Sequence, residues 1–383
     1  MLFVRPAVVT DLSDLAAAAR HLDSVNLPHD ENKLREVIQR SLLSFATQPS
    51  GSSQPPGAAQ PSGATQPPGA PVAAAPEATP TPAPAAHDSG EYLFVMVDRD
   101  GAGHERVVGS SMIFAQHGSR RAPHSYFDVI EEERYSESLD RHLRHKVLRM
   151  GYNYEGMTEL GGLVLLPEFR GHPQRLGKTL VFVRFLYIAL HRARFRDQMV
   201  SELMPPLEPD GTSLLWESLG RHFTGLSYQE ADRLSRENKE FIRALFPQDP
   251  IYATLLPQQA QERIGQVGPH TKAVEKMLTG AGFRYAQRID PFDGGPHFHA
   301  RTDDVTPIRQ ARRIRVREIG PVAGPAAPAP QGVALVAALP NRPPFFLAVR
   351  TAFGSNEAGL TLPAAAATTL GVTVGDEVGL LPI

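Results

Sequence analysis

A basic turn at residues 167–179 carries the residue types best suited to chemistry in this chain. It follows an apolar stretch and precedes a long amphipathic one, so the pattern predicts a strand, a turn and a helix. Glycines at such a turn let backbone N–H groups approach an anion, and the helix N-terminus adds its positive dipole end. The turn therefore predicts a pyrophosphate site, with a plain connection as the alternative. The binding candidates are Gln174, Arg175, Gly177, Lys178 and Thr179.

The apolar stretch before this turn offers a second kind of chemistry. Residues 159–166 read ELGGLVLL, which predicts a buried strand closed by Pro167. Backbone groups at Leu163 and Leu165 could pair with an extended ligand arm, and one N–H could polarise a thioester carbonyl. A simple core strand is the alternative, and the two roles are compatible. Glu159 at the strand start is interpreted as a partner for an ammonium group or, more simply, as a surface carboxylate.

The chain contains 14 histidines, and the sequence gives most of these candidate bases no evident partner. His297 and His299 alternate as in a strand and could present two ring nitrogens on one face. Because no third ligand stands at suitable spacing, the sequence predicts no metal site. The chain has no cysteine, which excludes disulfides, thiolate catalysis and thiolate-bound zinc.

Local patterns predict the elements that must position these groups. In chain order they are a strand at 2–9, helices from residue 11 to about 21 and after residue 28, a hairpin at 92–115, an exposed charged helix at 131–147, and a long helix from 176 to 190.

Composition divides the chain. Residues 47–90 are rich in Pro, Ala, Gly, Ser, Gln and Thr, which predicts a disordered insertion within a domain begun by residues 1–46 and continued by 91–325. Residues 326–383 predict short strands with glycine turns, hence a small β-barrel-like domain. The end of this segment superficially resembles small DNA-binding barrels. Since that end, residues 359–383, contains no Lys or Arg, we interpret it as structural.

The overall charge favours a small-molecule partner. The formal net charge is −2 over 383 residues, which gives no general attraction for nucleic acid or anionic membrane. No apolar run approaches the ~20 residues that a membrane span requires. The N-terminal residues lack the basic and then apolar layout of a signal peptide. We therefore expect a cytoplasmic protein that binds neither nucleic acid nor membrane.

Several long segments, in the same order, resemble the arginine N-succinyltransferase family of the GNAT superfamily. They are LFVRP at 2–6, SLLWESLGRHF at 213–223, DPIYATLLPQQAQERIGQV at 249–267, GAGFRYAQRIDPFDGGP at 280–296 and VTPIRQARRIRV at 305–316. The spacing Gln174-x-x-Gly177-x-Thr179 is also similar to the pyrophosphate loop of acetyltransferases. The resemblance covers roughly residues 1–45 and 91–320.

The resemblance implies an α+β fold with a GNAT-type mixed, mostly antiparallel sheet flanked by helices. It implies transfer of a succinyl group from succinyl-CoA, a co-substrate rather than a permanently bound cofactor, to the α-amino group of L-arginine. Leu163 matches the family's succinyl-CoA-binding leucine. The family's catalytic histidine matches Gly268 here, and we predict that His270, two residues on, acts as acid/base.

Three alternatives stay open at this point. The acceptor could be ornithine or another amine, and the donor another acyl-CoA. The chain could also be a non-catalytic partner subunit, because such proteins can occur as paired, related subunits. We accordingly expect a homo- or hetero-oligomer.

Overall fold

The computed structural model describes residues 1–21, 27–47, 90–120, 122–235, 239–322 and 332–383. Except for its two end residues, the predicted insertion at 47–90 lies outside the described residues. No helix in the described part of the chain is long and apolar enough to cross a membrane.

The described residues form fifteen strands. They are β1 (Leu2–Pro6), β2 (Glu91–Arg99), β3 (Glu105–Phe114), β4 (His124–Ser136), β5 (Arg141–Asn153), β6 (Thr158–Leu165), β7 (Gln198–Glu202), β8 (Ile251–Tyr252), β9 (Arg284–Ile289), β10 (Pro296–Arg301), β11 (Arg312–Ile319), β12 (Gly332–Ala338), β13 (Leu347–Asn356), β14 (Gly359–Leu362) and β15 (Glu377–Pro382).

The same ranges contain ten α-helices. They are α1 (Leu12–Ala19), α2 (Glu31–Ala46), α3 (Leu176–Leu190), α4 (Arg221–Thr224), α5 (Tyr228–Ser235), α6 (Glu240–Leu245), α7 (Gln258–Arg263), α8 (Lys272–Ala281), α9 (Thr306–Gln310) and α10 (Ala364–Leu370). A π-helical turn, Trp216–Gly220, leads into α4. The predicted first strand, the first two helices, the β2–β3 hairpin and the long helix α3 are thereby confirmed.

All fifteen strands form one continuous sheet. Its order is β12-β15-β11-β14-β13-β1-β2-β3-β6-β7-β10-β9-β4-β5-β8, and β12 also pairs with β13. That extra pairing closes β11 to β15 into a five-stranded barrel at one end of the sheet. Among the described strands, only β6–β7 and β11–β14 pair in parallel. The fold is thus mixed α+β, mostly antiparallel, with the expected C-terminal barrel.

The barrel is joined directly to the main sheet. Its strand β13 pairs with β1 at Val4 and Ala348. Its fifth strand, β11, precedes the predicted boundary at 325/326. The barrel wall therefore lies next to the N-terminal strand.

The charged segment at 131–147 is not a helix, so that prediction is wrong. It is the exposed end of the β4–β5 hairpin, where Glu131, Glu132 and Glu133 stand opposite Lys146, His145 and Arg144. Glu133 and Arg144 form an ion pair of 2.8 Å. Opposite charges facing each other across two strands stabilise a hairpin, and local charge density alone does not distinguish this from a solvated helix.

Candidate active site

Strands β6 and β7 diverge, and the split between them opens a cavity. They pair only at Thr158–Met199 and Glu159–Val200. On its other edge, β7 pairs antiparallel with β10 from Gln198 to Glu202. The cavity, of about 170 Å³, is lined by β6 from Glu159 to Leu163, by the end of β7, and by residues of α3, α5, α8 and the turn after β9.

A backbone irregularity aims β6 into this cavity. Gly162 has φ +56°, and the pairing with β3 shifts register between Ser110 and Met112. A Cβ at Gly162 would lie 2.8 Å from that of Met112, so both space and backbone conformation favour glycine. The bulge leaves the β7-facing edge of β6 near Leu163 outside the parallel ladder. Leu163 lines the cavity, as the thioester-binding prediction requires.

The predicted anion-binding turn forms the N-terminus of α3. Arg175 is the N-cap residue in the left-handed region, with φ +50°, and α3 begins at Leu176. A Cβ at Gly177 would meet nothing within 4 Å, so the space in front of the first turn is open. The first helical N–H groups have no partner within a helix and attract anions. The buried Thr179 hydroxyl has no hydrogen-bond partner among the described residues.

A barrel residue extends this basic site. Burial and the neighbouring charges of Arg175 and Arg350 lower the pKa of Lys178. Burial and Arg175 likewise lower the pKa of Arg350, which lies on β13. Three cations that repel one another at a helix N-terminus form a surface suited to a polyanion. Sequence reasoning missed Arg350 because it assigned residues 326–383 to a separate small domain.

A histidine–carboxylate pair occupies one wall of the cavity. Nδ1 of His117 contacts Oε2 of Glu159, and Glu159 is only 2% exposed. Burial acts to lower the pKa of His117, but the Glu159 carboxylate outweighs it and the pKa is raised. The interpretation of Glu159 as a surface carboxylate is therefore wrong. A ring oriented by a buried carboxylate is the arrangement of a general base.

Glu202, at the end of β7, is surrounded by imidazoles. Its Oε1 atom lies 2.6 Å from Nε2 of His124 and 3.6 Å from Nε2 of His297. Burial would raise the pKa of Glu202, but His297, His124 and His117 together hold it well below the usual value. Burial lowers the pKa of His297 to about 3, so that ring is neutral near neutral pH. Glu202 is accordingly a fixed negative charge at the cavity edge.

Two further carboxyl groups face the cavity from the turn after β9. Burial, and then the charge of Glu202, raise the pKa of Asp290 to about 6. Burial and Asp290 raise the pKa of Asp293 well above its ordinary value. Backbone N–H groups of Phe292 and Gly295 donate 2.7 Å hydrogen bonds to these two carboxyls. Such carboxyls are poised to ionise when a cation enters, because an opposite charge favours the charged form.

The same groups include the best candidate metal ligands in the described chain. His117, His124 and Glu202 each place one ligand atom within 4.8 Å of the others, as do Glu202, Asp290 and His297. Each of these residues also takes part in one of the ion pairs or charge interactions described above. His299, the other half of the alternating pair, belongs to neither set.

Arg184 is the most deeply buried cation of the cavity wall. It lies on α3, is 1% exposed, and donates to the carbonyls of Val181 and Gly161 at 3.4 Å each. Burial lowers its pKa to about 9, so it stays charged near neutral pH.

Two of the predicted site residues, Leu165 and His270, do not line the cavity. Leu165 pairs with Gly109 in the β3–β6 ladder and is not among the lining residues. His270 is exposed and also absent from the lining, although its neighbour Thr271 is part of it. The structure thus places Leu163 in the cavity and the five turn residues at the start of α3, but it does not bring His270 to them. The catalytic role of His270 stays a prediction.

Gly268, the position that matches the family's catalytic histidine, packs closely against the backbone of Met204 and Pro205. Its N–H donates to the Met204 carbonyl at 2.9 Å. A Cβ at Gly268 would lie 2.7 Å from the Pro205 carbonyl oxygen and 2.9 Å from that of Met204. A side chain at this position requires a backbone shift.

These observations define a mixed α+β protein with a closed terminal barrel and a charged cavity at a split between parallel strands. The sequence matches the family described as "Arginine N-succinyltransferase beta subunit" (AstA) over residues 72–307. The chain therefore belongs to the AstA family.

Relatives and a solved structure support this placement. The chain is 35% identical over 226 residues to arginine N-succinyltransferase of Yersinia enterocolitica, covering 59% of this chain and 64% of that one. It is 35% identical over 225 residues to arginine N-succinyltransferase subunit beta of Pseudomonas aeruginosa, covering 58% and 64%. These matches span just under two thirds of those relatives.

The fold is similar along the whole chain to that of a solved protein. The structure of arginine/ornithine succinyltransferase subunit AI from Pseudomonas aeruginosa superposes with a TM-score of 0.75 at 28% sequence identity. It covers 100% of this chain and 98% of that one.

Proposed function

We propose that this protein transfers the succinyl group of succinyl-CoA to the α-amino group of L-arginine, on a GNAT-type acyltransferase fold. Membership of the AstA family supports this activity. The observation that carries it is the cavity itself, which is lined by Leu163 on the irregular edge of β6, by the His117–Glu159 pair and by an acidic wall.

The donor binds along β6 and α3. The CoA pyrophosphate lies against the N-terminus of α3, with Arg175, Lys178 and Arg350 as cations and Gly177 allowing close approach. The pantetheine arm follows the free edge of β6. The thioester carbonyl then receives a backbone N–H near Leu163, which stabilises the negative charge that develops on its oxygen.

The acceptor binds at the acidic wall. Arginine carries a guanidinium group that forms paired hydrogen bonds with carboxylates. Asp290, Asp293 and Glu202 offer carboxyl oxygens within one cavity. A bound guanidinium lowers the raised pKa values of the two aspartates, so the cation that binds also ionises its site. This wall is the reason for preferring a cationic amino acid as the acceptor.

The chemistry requires the loss of two protons from the α-ammonium nitrogen and one displacement at the thioester. His117, oriented by Glu159, accepts a proton from the α-ammonium group directly or through one water. The free amine attacks the thioester carbonyl carbon, forming the C–N bond and a tetrahedral oxyanion. The C–S bond then breaks, and the nitrogen gives its second proton to the departing sulfur or to water. CoA needs little acid assistance to leave, because thiols have a pKa of about 8.5. No covalent enzyme intermediate is needed.

His270 is the competing candidate for the base. His270 does not line the cavity, but the next residue, Thr271, does. His270→Ala and His117→Gln separate the two assignments. With His117 as base, His117→Gln lowers kcat by at least ~100-fold, whereas His270→Ala leaves it within about threefold.

A partner subunit is the second candidate assignment, and Gly268 is the observation that favours it. We propose that the chain assembles with a copy of itself or with a related subunit, which is supported by the word "subunit" in the names of two similar proteins. If the chain binds succinyl-CoA but releases CoA only after a second polypeptide is added, the partner-subunit assignment is correct and the catalytic assignment is wrong.

The test of the proposed function is CoA release by the purified full chain. The donors are succinyl-CoA and acetyl-CoA, and the acceptors are arginine, ornithine, lysine and the neutral analogue citrulline. We expect release with succinyl-CoA and arginine, weaker release with ornithine, and none above background with citrulline. Equal rates with citrulline and arginine would exclude the acidic wall as the acceptor site.

A further inference from the structure

Arg184 is a buried cation without a carboxylate partner among the residues that the structure describes. Its two hydrogen bonds go to neutral carbonyls, and both are long at 3.4 Å. A guanidinium has five N–H donors, so most of its capacity is unused by these two bonds. Burial of a charge is unfavourable unless that charge is paired and hydrogen-bonded. The cavity that Arg184 lines is where an anionic partner can enter.

Packing alone does not explain a charge at this position. Arg184 lies within the apolar interior of α3, between Val183 and Phe185, which are fully buried. Methionine or leucine would fill similar space without the unfavourable desolvation of a charge.

Arg184 lies beside the segment of β6 that would hold the acyl group. Its Nη1 atom reaches the carbonyl of Gly161, two residues before Leu163. Two residues span at most about 7 Å, and the positive φ of Gly162 shortens the distance from Gly161 to Leu163. A thioester carbonyl near Leu163 would thus leave the far end of a four-carbon acyl chain within reach of the guanidinium.

Lys239, a second cation among the described lining residues, already lies near acidic groups. Its charge acts to lower the pKa of Asp290, opposing the effect of burial on that group. For Arg184, burial alone accounts for the lowered pKa. An incoming carboxylate is consequently attracted to Arg184 and repelled from the acidic side of the cavity.

We propose that Arg184 binds the distal carboxylate of a dicarboxylic acyl-CoA and so selects succinyl-type donors over neutral acyl-CoAs. This inference rests on the proposed function, because it requires that the acyl group lies at Leu163. It assigns the anionic donor to the α3 side of the cavity and the cationic acceptor to the turn after β9.

The test compares succinyl-CoA with butyryl-CoA, which has the same chain length and no distal charge. In Arg184→Met we expect kcat/KM for succinyl-CoA to fall about 100-fold, as when one partner of a buried charge pair is removed. Activity with butyryl-CoA should stay within threefold or rise. Arg184→Lys should recover part of the preference for succinyl-CoA. Lys178→Met is the matched control, and it should weaken both donors equally because both carry the pyrophosphate.

Two results would overturn the inference. One is an equal loss with both donors in a folded Arg184→Met protein, and the other is an unchanged preference for succinyl-CoA. If that variant does not fold, the test is competition between succinyl-CoA and butyryl-CoA for binding to the wild-type protein. We expect succinyl-CoA to bind at least tenfold more tightly, and equal binding would exclude the proposal. The same binding assay tests donor selection by Arg184 separately from catalysis. A wild-type chain that turns over neither donor would contradict only the proposed function.

Discussion

Nδ1 of His117 is in direct contact with Oε2 of Glu159, at the point where β6 and β7 last pair before they separate. The carboxylate is buried and the ring borders the cavity. The strand that would hold the thioester thus also orients the group that would accept the proton. This shared strand fixes the base relative to the donor.

The pH dependence of kcat should reveal this pair. Because the pKa of His117 is raised, kcat should increase with pH through a midpoint above 6.5 at saturating substrates. In Glu159→Gln, burial prevails over the remaining interactions and the midpoint should move below 6.5. The measurement is kcat from pH 5 to 9, with the exposed Glu262→Gln as control. An identical midpoint in Glu159→Gln and wild type would argue against His117 as the base.

The buried carboxyl of Asp290 should lower the stability of the free protein at neutral pH while it contributes to acceptor binding. Its pKa is raised from 3.8 to about 6, so its contribution to stability is present below pH 4 and lost as the pH rises through 6. Asp290→Asn should therefore increase the free energy of unfolding at pH 8 by roughly 1–2 kcal/mol, with no gain at pH 4. The amide oxygen can still accept from Phe292 N–H.

The same variant should raise KM for arginine about tenfold or more, because a carboxylate partner of the guanidinium is lost. Asp210→Asn is the control. Because the pKa of this exposed turn residue is lowered, its substitution should decrease the free energy of unfolding at pH 8. A less stable Asp290→Asn protein at pH 8 would contradict the electrostatic account of the acidic wall.

Arg350 should contribute to donor binding from the barrel. We expect Arg350→Met to raise KM for succinyl-CoA about three- to tenfold with kcat unchanged, as for loss of one partly exposed phosphate contact. The effect should diminish at high salt because of screening. Arg315→Met, an exposed arginine on another barrel strand, serves as control. Equal effects of both substitutions would indicate a general charge effect.

Gly268→His should not restore a lost catalytic centre. The new Cβ would lie under 3.0 Å from two backbone oxygens, so we expect destabilisation of roughly 1–3 kcal/mol and no gain in kcat. Gly280→His, at a position where a Cβ meets nothing within 4 Å, separates steric strain from the effect of adding a histidine. A large rise in kcat in Gly268→His alone would instead support a decayed site.

Local signals in the sequence predicted the strand, turn and helix around Leu163 and Gly177. Those elements depend on short-range periodicity and on glycine at a turn, which a single sequence contains. The charged hairpin was mistaken for a helix because its stabilising pairs, such as Glu133 with Arg144, form across the turn. An acidic run followed by a basic run is the signal that could have identified it.

The cavity could not be predicted in the same way. Glu159, Arg184, Lys239 and Asp290 are far apart in sequence, and only the folded chain places them around one cavity. Glu159 is buried in contact with His117, and Arg350 lies on β13, which pairs with β1. Such long-range contacts have no local signature.

The most direct test of the account is the product formed from succinyl-CoA and L-arginine labelled with ¹⁵N at the α-amino group. Mass spectrometry with fragmentation locates the succinyl group, and a thiol assay counts the CoA released. The account predicts one succinyl group on the labelled nitrogen for each CoA. Tight binding of succinyl-CoA without any succinylated arginine, ornithine or lysine, by the chain alone, would contradict it.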